Sequence, residues 1–120
     1  MGTFNKEALI LRIKTWAYEC LDVINKLKDS PENRVISFQL AKSCLSSLAN
    51  YRAACRAKSI ADMINKLKIV EEELDESKMW LETIQDRNEE INCNELIKEA
   101  DELLSIIVSS IKTLRKRKNS

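Results

Sequence analysis

"IADMINKLKIVEEELDESKMWLETIQD", Ile60 to Asp86, decides the fold. Ile60, Met63, Leu67, Val70, Leu74, Ser77, Leu81 and Ile84 recur in alternating steps of three and four. That period lays one mostly apolar seam along a helix face; a strand would alternate every second residue. Just ahead, Ser59 is a cap residue. Asp62, three positions on, forms a capping pair with it, Asp standing where Glu or Gln is usual.

The same rhythm recurs on both sides. Leu9, Ile13, Trp16, Cys20, Val23 and Leu27 predict a helix from about 4 to 27. "DSPEN" stops it, with Ser30 as the next N-cap, Pro31 in the first helical position and Glu32 near the positive helix end. Ile36, Leu40, Cys44, Leu48, Tyr51 and Cys55 predict a second helix over 31–56. No glycine closes it, so a helix continuous into the 60–86 segment stays open. "RNEEINCN" breaks the third helix, and Asn94 is expected to cap a fourth over 95–116, with a basic tail over 115–120. Its seam is Ile97, Ala100, Leu104, Ile107, Ile111 and Leu114.

Four helices of similar length with short connections predict an all-α fold. The expected architecture is one antiparallel, up-down-up-down four-helix bundle spanning 1–120. Gly2 and Pro31 are the only glycine and proline, which argues against hairpins and strands. No apolar run nears the roughly 20 residues a membrane span needs. The first ten residues lack a signal-peptide layout. Cys20, Cys44, Cys55 and Cys93 show no Cys-x-x-Cys spacing, and three fall on apolar helix faces. They read as small hydrophobes in a reduced cytoplasm.

The chemistry is bounded as tightly. With no histidine, a His-assisted Ser or Cys nucleophile is excluded, as are Glu-x-x-His di-iron sites. One terminal glycine cannot build a phosphate loop. One carboxylate pattern remains: Glu72, Glu73 and Glu76, with Glu99 and Glu102 further on. Such spacing on facing helices holds Mg²⁺ in all-α nucleoside triphosphate pyrophosphohydrolases of the MazG type. Those enzymes carry Glu-x-x-Asp in the second half, where this chain has Glu99 to Glu102. In so acidic a segment the motif reads more simply as a solvated or interface-pairing face. The expected protein is non-enzymatic, with no cofactor and no metal.

Charge is sorted along the chain. Residues 1–33 are neutral overall. Residues 34–68 hold seven cations and one anion, Asp62, for a net +6. Residues 69–103 hold thirteen anions and three cations, net −10, and residues 104–120 hold five cations and no anion. An antiparallel bundle brings the end of the second helix, the start of the third and the end of the fourth together. Arg52, Arg56, Lys58, Lys66 and Lys68 should then share one end with Arg115, Lys116, Arg117 and Lys118. Such a patch attracts phosphate backbones by counterion release. It also suits helix C-termini and solubility. Aromatic residues are few. Tyr18 and Phe38 lie off the seams, a position open to exposure; the favoured expectation is a second apolar face, with Ala41, Leu45, Ala49, Ile64, Ile69, Met79 and Val108. Surplus apolar surface of this kind favours oligomers.

The segment Ser47 to Glu82 resembles the bacterial four-helix-bundle proteins encoded in intervening sequences of large-subunit ribosomal RNA genes. The resemblance is carried by Ala49, Asn50, Tyr51, Arg52 and Arg56, then Ser59, Asp62, Lys66 and Leu67, then Glu72, Glu73, Glu76, Trp80, Leu81 and Glu82. "SFQLAKS", Ser37 to Ser43, extends it, and the likeness covers roughly residues 8–115. Ala53 departs from it, because relatives commonly carry Glu there. The resemblance implies a homopentamer. It is similar, too, to the accessory variability protein of diversity-generating retroelements, a basic pentameric barrel that binds nucleic acid and a reverse transcriptase. In such a ring the acidic stretch of one subunit, with Glu72, Glu73 and Glu76, would face the basic stretch of its neighbour. The resulting expectation is an oligomer that binds RNA through Arg52, Arg56, Lys58, Lys66, Lys68 and Arg115 to Lys118. The alternative is a protein-interaction scaffold, for example for a reverse transcriptase, without nucleic-acid binding.

Overall fold

A computed structural model describes residues 5–119. Within them the chain forms four helices and no strand: α1 (Lys6–Ile24), α2 (Pro31–Cys55), α3 (Ile60–Arg87) and α4 (Asn94–Asn119). Phe4, where the sequence reading starts the first helix, lies outside the described residues. The molecule is elongated, 52 × 22 × 20 Å, with the helices packed around one core.

Each of the first three helices begins on a polar side chain rather than after a glycine turn. Asn5 Oδ1 accepts from the amides of Glu7 and Ala8, Ser30 Oγ from Asn33, and Ser59 Oγ from Asp62. These bonds satisfy amides that the first helical turn leaves orphaned. Ser59 is extended, so α2 and α3 are separate helices, and the continuous-helix option is closed. Asp62 Oδ2 reaches back to the amide of Lys58, one residue beyond the position a capping box uses. Asn94 does not cap α4. It is the first helical residue, and its Oδ1 accepts from Gln85 Nε2. Gln85 also accepts from the amide of Cys93, so one side chain of α3 organises the whole turn into α4. At the other end of the chain, α1 stops at Ile24. Lys26 and Leu27 turn away through i→i+3 bonds, yet Leu27 still packs on the core.

The third helix buries Leu67, Val70, Leu74, Ser77, Leu81 and Ile84, the expected seam. Its first turn differs: Ile64 is buried while Met63 is half-buried and Ile60 is exposed. α4 is rotated similarly, with Leu96 and Leu103 inside and Ile97 and Leu104 at the margin. In α2 the core is unexpectedly small and polar. Ser43 and Ser47 are fully buried and Ala54 nearly so, while Leu48 and Cys55 are only half-buried. Ser43 Oγ and Ser77 Oγ meet at 2.7 Å between α2 and α3, and Ser77 donates onward to the Glu73 carbonyl. Short side chains let these two helices approach closely. Among the described residues no buried side-chain nitrogen or oxygen lacks a partner.

Contacts run in opposite senses along neighbouring helices. Glu32 pairs with Arg87 and Ser43 with Ser77 across α2 and α3. Asn94 meets Gln85 and Asp101 meets Lys78 across α4 and α3. Arg12 grips Glu99 and Glu102, and Trp16 Nε1 donates to the Leu96 carbonyl at 3.0 Å, joining α1 to α4.

Candidate nucleic-acid interface

The end of α2 and the start of α3 make a basic cleft. "NYRAAC", Asn50 to Cys55, stays helical because Ala53 and Ala54 are strong helix formers, and Arg52 in the last turn complements the negative helix end. Arg56 closes the helix, its amide bonding to the Ala53 carbonyl and the Ala57 amide to the Ala54 carbonyl. Lys58 and Ser59 form the link, and α3 returns alongside. Arg52, Arg56, Lys58, Asp62 and Lys66 then line one open cleft of about 480 Å³, floored by Ala49 and Ala53. The alanines matter because they keep the groove between the cations empty. Ala53 adds no charge to it.

Asp62 is the acid of this cleft. Its carboxylate takes Lys66 Nζ at 2.7 Å, and that bond, with the Lys58 amide next, holds it below the usual carboxylate range. The cleft therefore carries four cations against one anion whose charge is already committed to Lys66.

Not every expected cation joins. Lys68 is exposed on α3 but does not line the cleft; two residues from Lys66, it sits about 200° round the helix. Arg115 to Lys118 are not a tail. They are helical, the last turns of α4, which runs to Asn119. Four consecutive helical residues fan through about 300° and cannot all face one groove.

The acidic candidates divide. Glu72 is exposed. Glu73 is half-buried and turned to α2, beside Ser46 and Lys42; burial, first, raises its carboxyl above the ordinary range. Glu76 accepts from Trp80 Nε1 at 3.3 Å. Glu99 and Glu102 lie on the α1 side, both gripped by Arg12 at 2.6–2.7 Å. The two halves of the carboxylate pattern thus face different helices. Among the described residues no group of three or more Cys, Asp or Glu could hold a metal ion.

The two off-seam aromatics lie outside the core: Phe38 is 65% and Tyr18 49% exposed. The core face of α2 is filled by Ile36, Leu40, Ser43, Cys44 and Ser47, and Phe38 points away from it. Leu11, Val35, Leu45, Ile69 and Met79 are exposed as well. Tyr18 lines a second groove, between α1 and α2, with Lys14, Arg52 and Arg56. Sequence periodicity flags Tyr18 only as a residue off the seam.

The cysteines are free thiols, Cys20, Cys44 and Cys93 buried and Cys55 half-buried. The Cys20 thiol, hydrogen-bonded to Cys44 and enclosed in the core, is pushed far above its ordinary range and stays neutral. No described helix is long and apolar enough to cross a membrane.

No family model matches this sequence, and no curated protein matches it. The fold is similar to that of a crystallised protein of unknown function from the S23 ribosomal protein family of Bacteroides thetaiotaomicron VPI-5482. The TM-score is 0.79 at 27% identity, over 89% of this chain and 97% of that one.

Proposed function

We propose that this chain is a non-enzymatic protein that binds RNA through the basic end of an antiparallel, up-down-up-down bundle, and that it works as a homo-oligomer, a pentamer. The observation that carries the binding reading is the cleft in which Arg52, Arg56, Lys58 and Lys66 converge with Asp62 as counter-charge. Cations gathered in one cleft contact backbone phosphates, giving affinity with little sequence preference. The opposed contact order along neighbouring helices supports the antiparallel arrangement. If the α3–α4 register of the Gln85–Asn94 and Lys78–Asp101 contacts continues along the pair, Arg115 falls opposite Ile64. That would add the end of α4 to the same end of the molecule.

Likeness to a protein from a family named for a ribosomal protein supports an RNA-facing role. It also favours kinship with the small helical proteins of ribosomal RNA intervening sequences. Exposed Leu11, Val35, Phe38, Leu45, Ile69 and Met79 support assembly, because apolar surface left outside the core favours a partner that covers it. That observation equally favours the second reading, a scaffold whose surface serves a protein partner such as a reverse transcriptase. Two measurements separate them. Light scattering gives the solution mass, a pentamer being expected. A gel shift with a structured RNA compares the wild type with Arg52→Glu/Arg56→Glu. Retarded RNA that the double variant releases supports binding. No shift at low salt leaves the scaffold.

A further inference from the structure

Arg52 and Arg56 line two grooves at once. On one side lies the cleft with Lys58 and Lys66; on the other lies the α1–α2 groove that holds Tyr18. The two arginines are therefore a ridge between a groove of cations and a groove with an aromatic wall. Tyr18 is held by its own helix, one turn from Lys14, whose ammonium sits 5.6 Å from the ring centroid. Ile10 and Leu48 provide apolar surface in the same groove. Half the Tyr18 side chain remains in contact with solvent, although a tyrosine gains by burying its ring.

Duplex nucleic acid has no use for such a groove, since its bases are already stacked on one another. An unpaired strand does. Its phosphates need cations along a path, and each exposed base gains by stacking on an aromatic face. Resting on the proposed RNA-binding role, we infer that the preferred ligand is an unpaired strand, with a base on Tyr18 in the α1–α2 groove and the backbone crossing the Arg52–Arg56 ridge into the Lys58–Lys66 cleft. Lys14 has two roles in this arrangement: it holds the ring by a cation–π contact, and it offers a charge to the phosphate that enters first. Tyr18, Arg52 and Arg56 are exposed and lie outside the core, so variants at these positions are expected to fold, which circular dichroism checks.

The test uses the full chain and fluorescence anisotropy with two probes of equal length, a labelled oligouridylate and an RNA duplex. The unpaired probe is expected to bind more tightly. Tyr18→Leu is expected to weaken it by about tenfold, the loss of one stacked base, while Tyr18→Trp preserves it. Duplex affinity should be unchanged by either variant. Equal affinity for both probes, or Tyr18→Leu without effect while Arg52→Glu/Arg56→Glu abolishes binding, overturns the unpaired-strand inference and leaves the basic-end reading standing. No binding of either probe at low salt removes both.

Discussion

Asp62 holds Lys66 at 2.7 Å within a cleft otherwise lined by Arg52, Arg56, Lys58 and alanine. One carboxylate thus tempers four cations, and it does so from the first turn of α3, where its charge also suits the helix. Asp62→Asn keeps an acceptor for the Lys58 amide but removes the charge and frees Lys66. RNA binding at low salt should tighten severalfold, and its salt dependence should steepen. Titration of RNA with the variant over a salt series checks this; weaker binding would show that Asp62 orders the cleft rather than opposing it.

Glu73 carries a pH signature. Burial raises its folded-state pKa, so the folded protein holds this proton more tightly than the unfolded chain. Stability is therefore lost as pH rises through the window from the ordinary Glu value to the raised one, and the penalty persists above it. Glu73→Gln should stabilise the protein at neutral pH, within the about 0–1 kcal/mol typical of partly exposed charges. The gain should vanish below about pH 4, where both states are protonated. Urea melts at two pH values measure it.

Trp16 joins α1 to α4 with its indole N–H on the Leu96 carbonyl, at a site only 2% exposed. Trp16→Phe removes that bond and leaves a cavity. A loss of about 2 kcal/mol is expected in chemical denaturation.

Ser47 is fully buried in α2, its hydroxyl returned to the Cys44 carbonyl at 2.7 Å. The site is filled, so Ser47→Leu should overpack it and cost about 1–3 kcal/mol, although leucine is the better helix former and the more apolar residue. Ser47→Ala should cost little, because the hydroxyl satisfies only a carbonyl already in the helix ladder.

The MazG-type alternative meets a direct assay. Glu99 and Glu102 are gripped by Arg12 while Glu73 faces α2, so the five carboxylates do not converge. Nucleoside triphosphates incubated with the protein and Mg²⁺ should stay intact. Released pyrophosphate that disappears in Glu72→Gln would reverse the assignment.

Why the seam of α3 reads so directly from sequence, and that of α2 does not, is a matter of side-chain type. Leu67, Val70, Leu74, Leu81 and Ile84 stand among charged neighbours, so the period is plain. In α2 the core positions Ser43, Ser47 and Ala54 are small or polar, and burial of a serine is invisible until its partner is known. The hydroxyl pair of Ser43 and Ser77 supplies that partner from another helix. The one-residue shifts of the seam in α4 have a similar origin. There two large apolar residues stand side by side, Leu96 with Ile97 and Leu103 with Leu104, and either of each pair suits the core face.

The cleft was half legible. Arg52, Arg56, Lys58 and Lys66 are close in sequence, and a turn between α2 and α3 suffices to gather them. Lys68 and the Arg115–Lys118 run depend on helical phase, which a charge count ignores. Tyr18 stands off the α1 seam, which the sequence shows; its place in one groove with Arg52 and Arg56 follows from the α1–α2 packing, and no local pattern encodes it.

The salt dependence of RNA affinity tests the central claim most directly. Anisotropy of a labelled structured RNA should give a log-log slope that marks several phosphate contacts. Neutralising Lys58 and Lys66 together should flatten it by about one unit per lost contact. Binding that is absent at low salt, or a slope indifferent to Arg52, Arg56, Lys58 and Lys66, would contradict the basic cleft as the functional site.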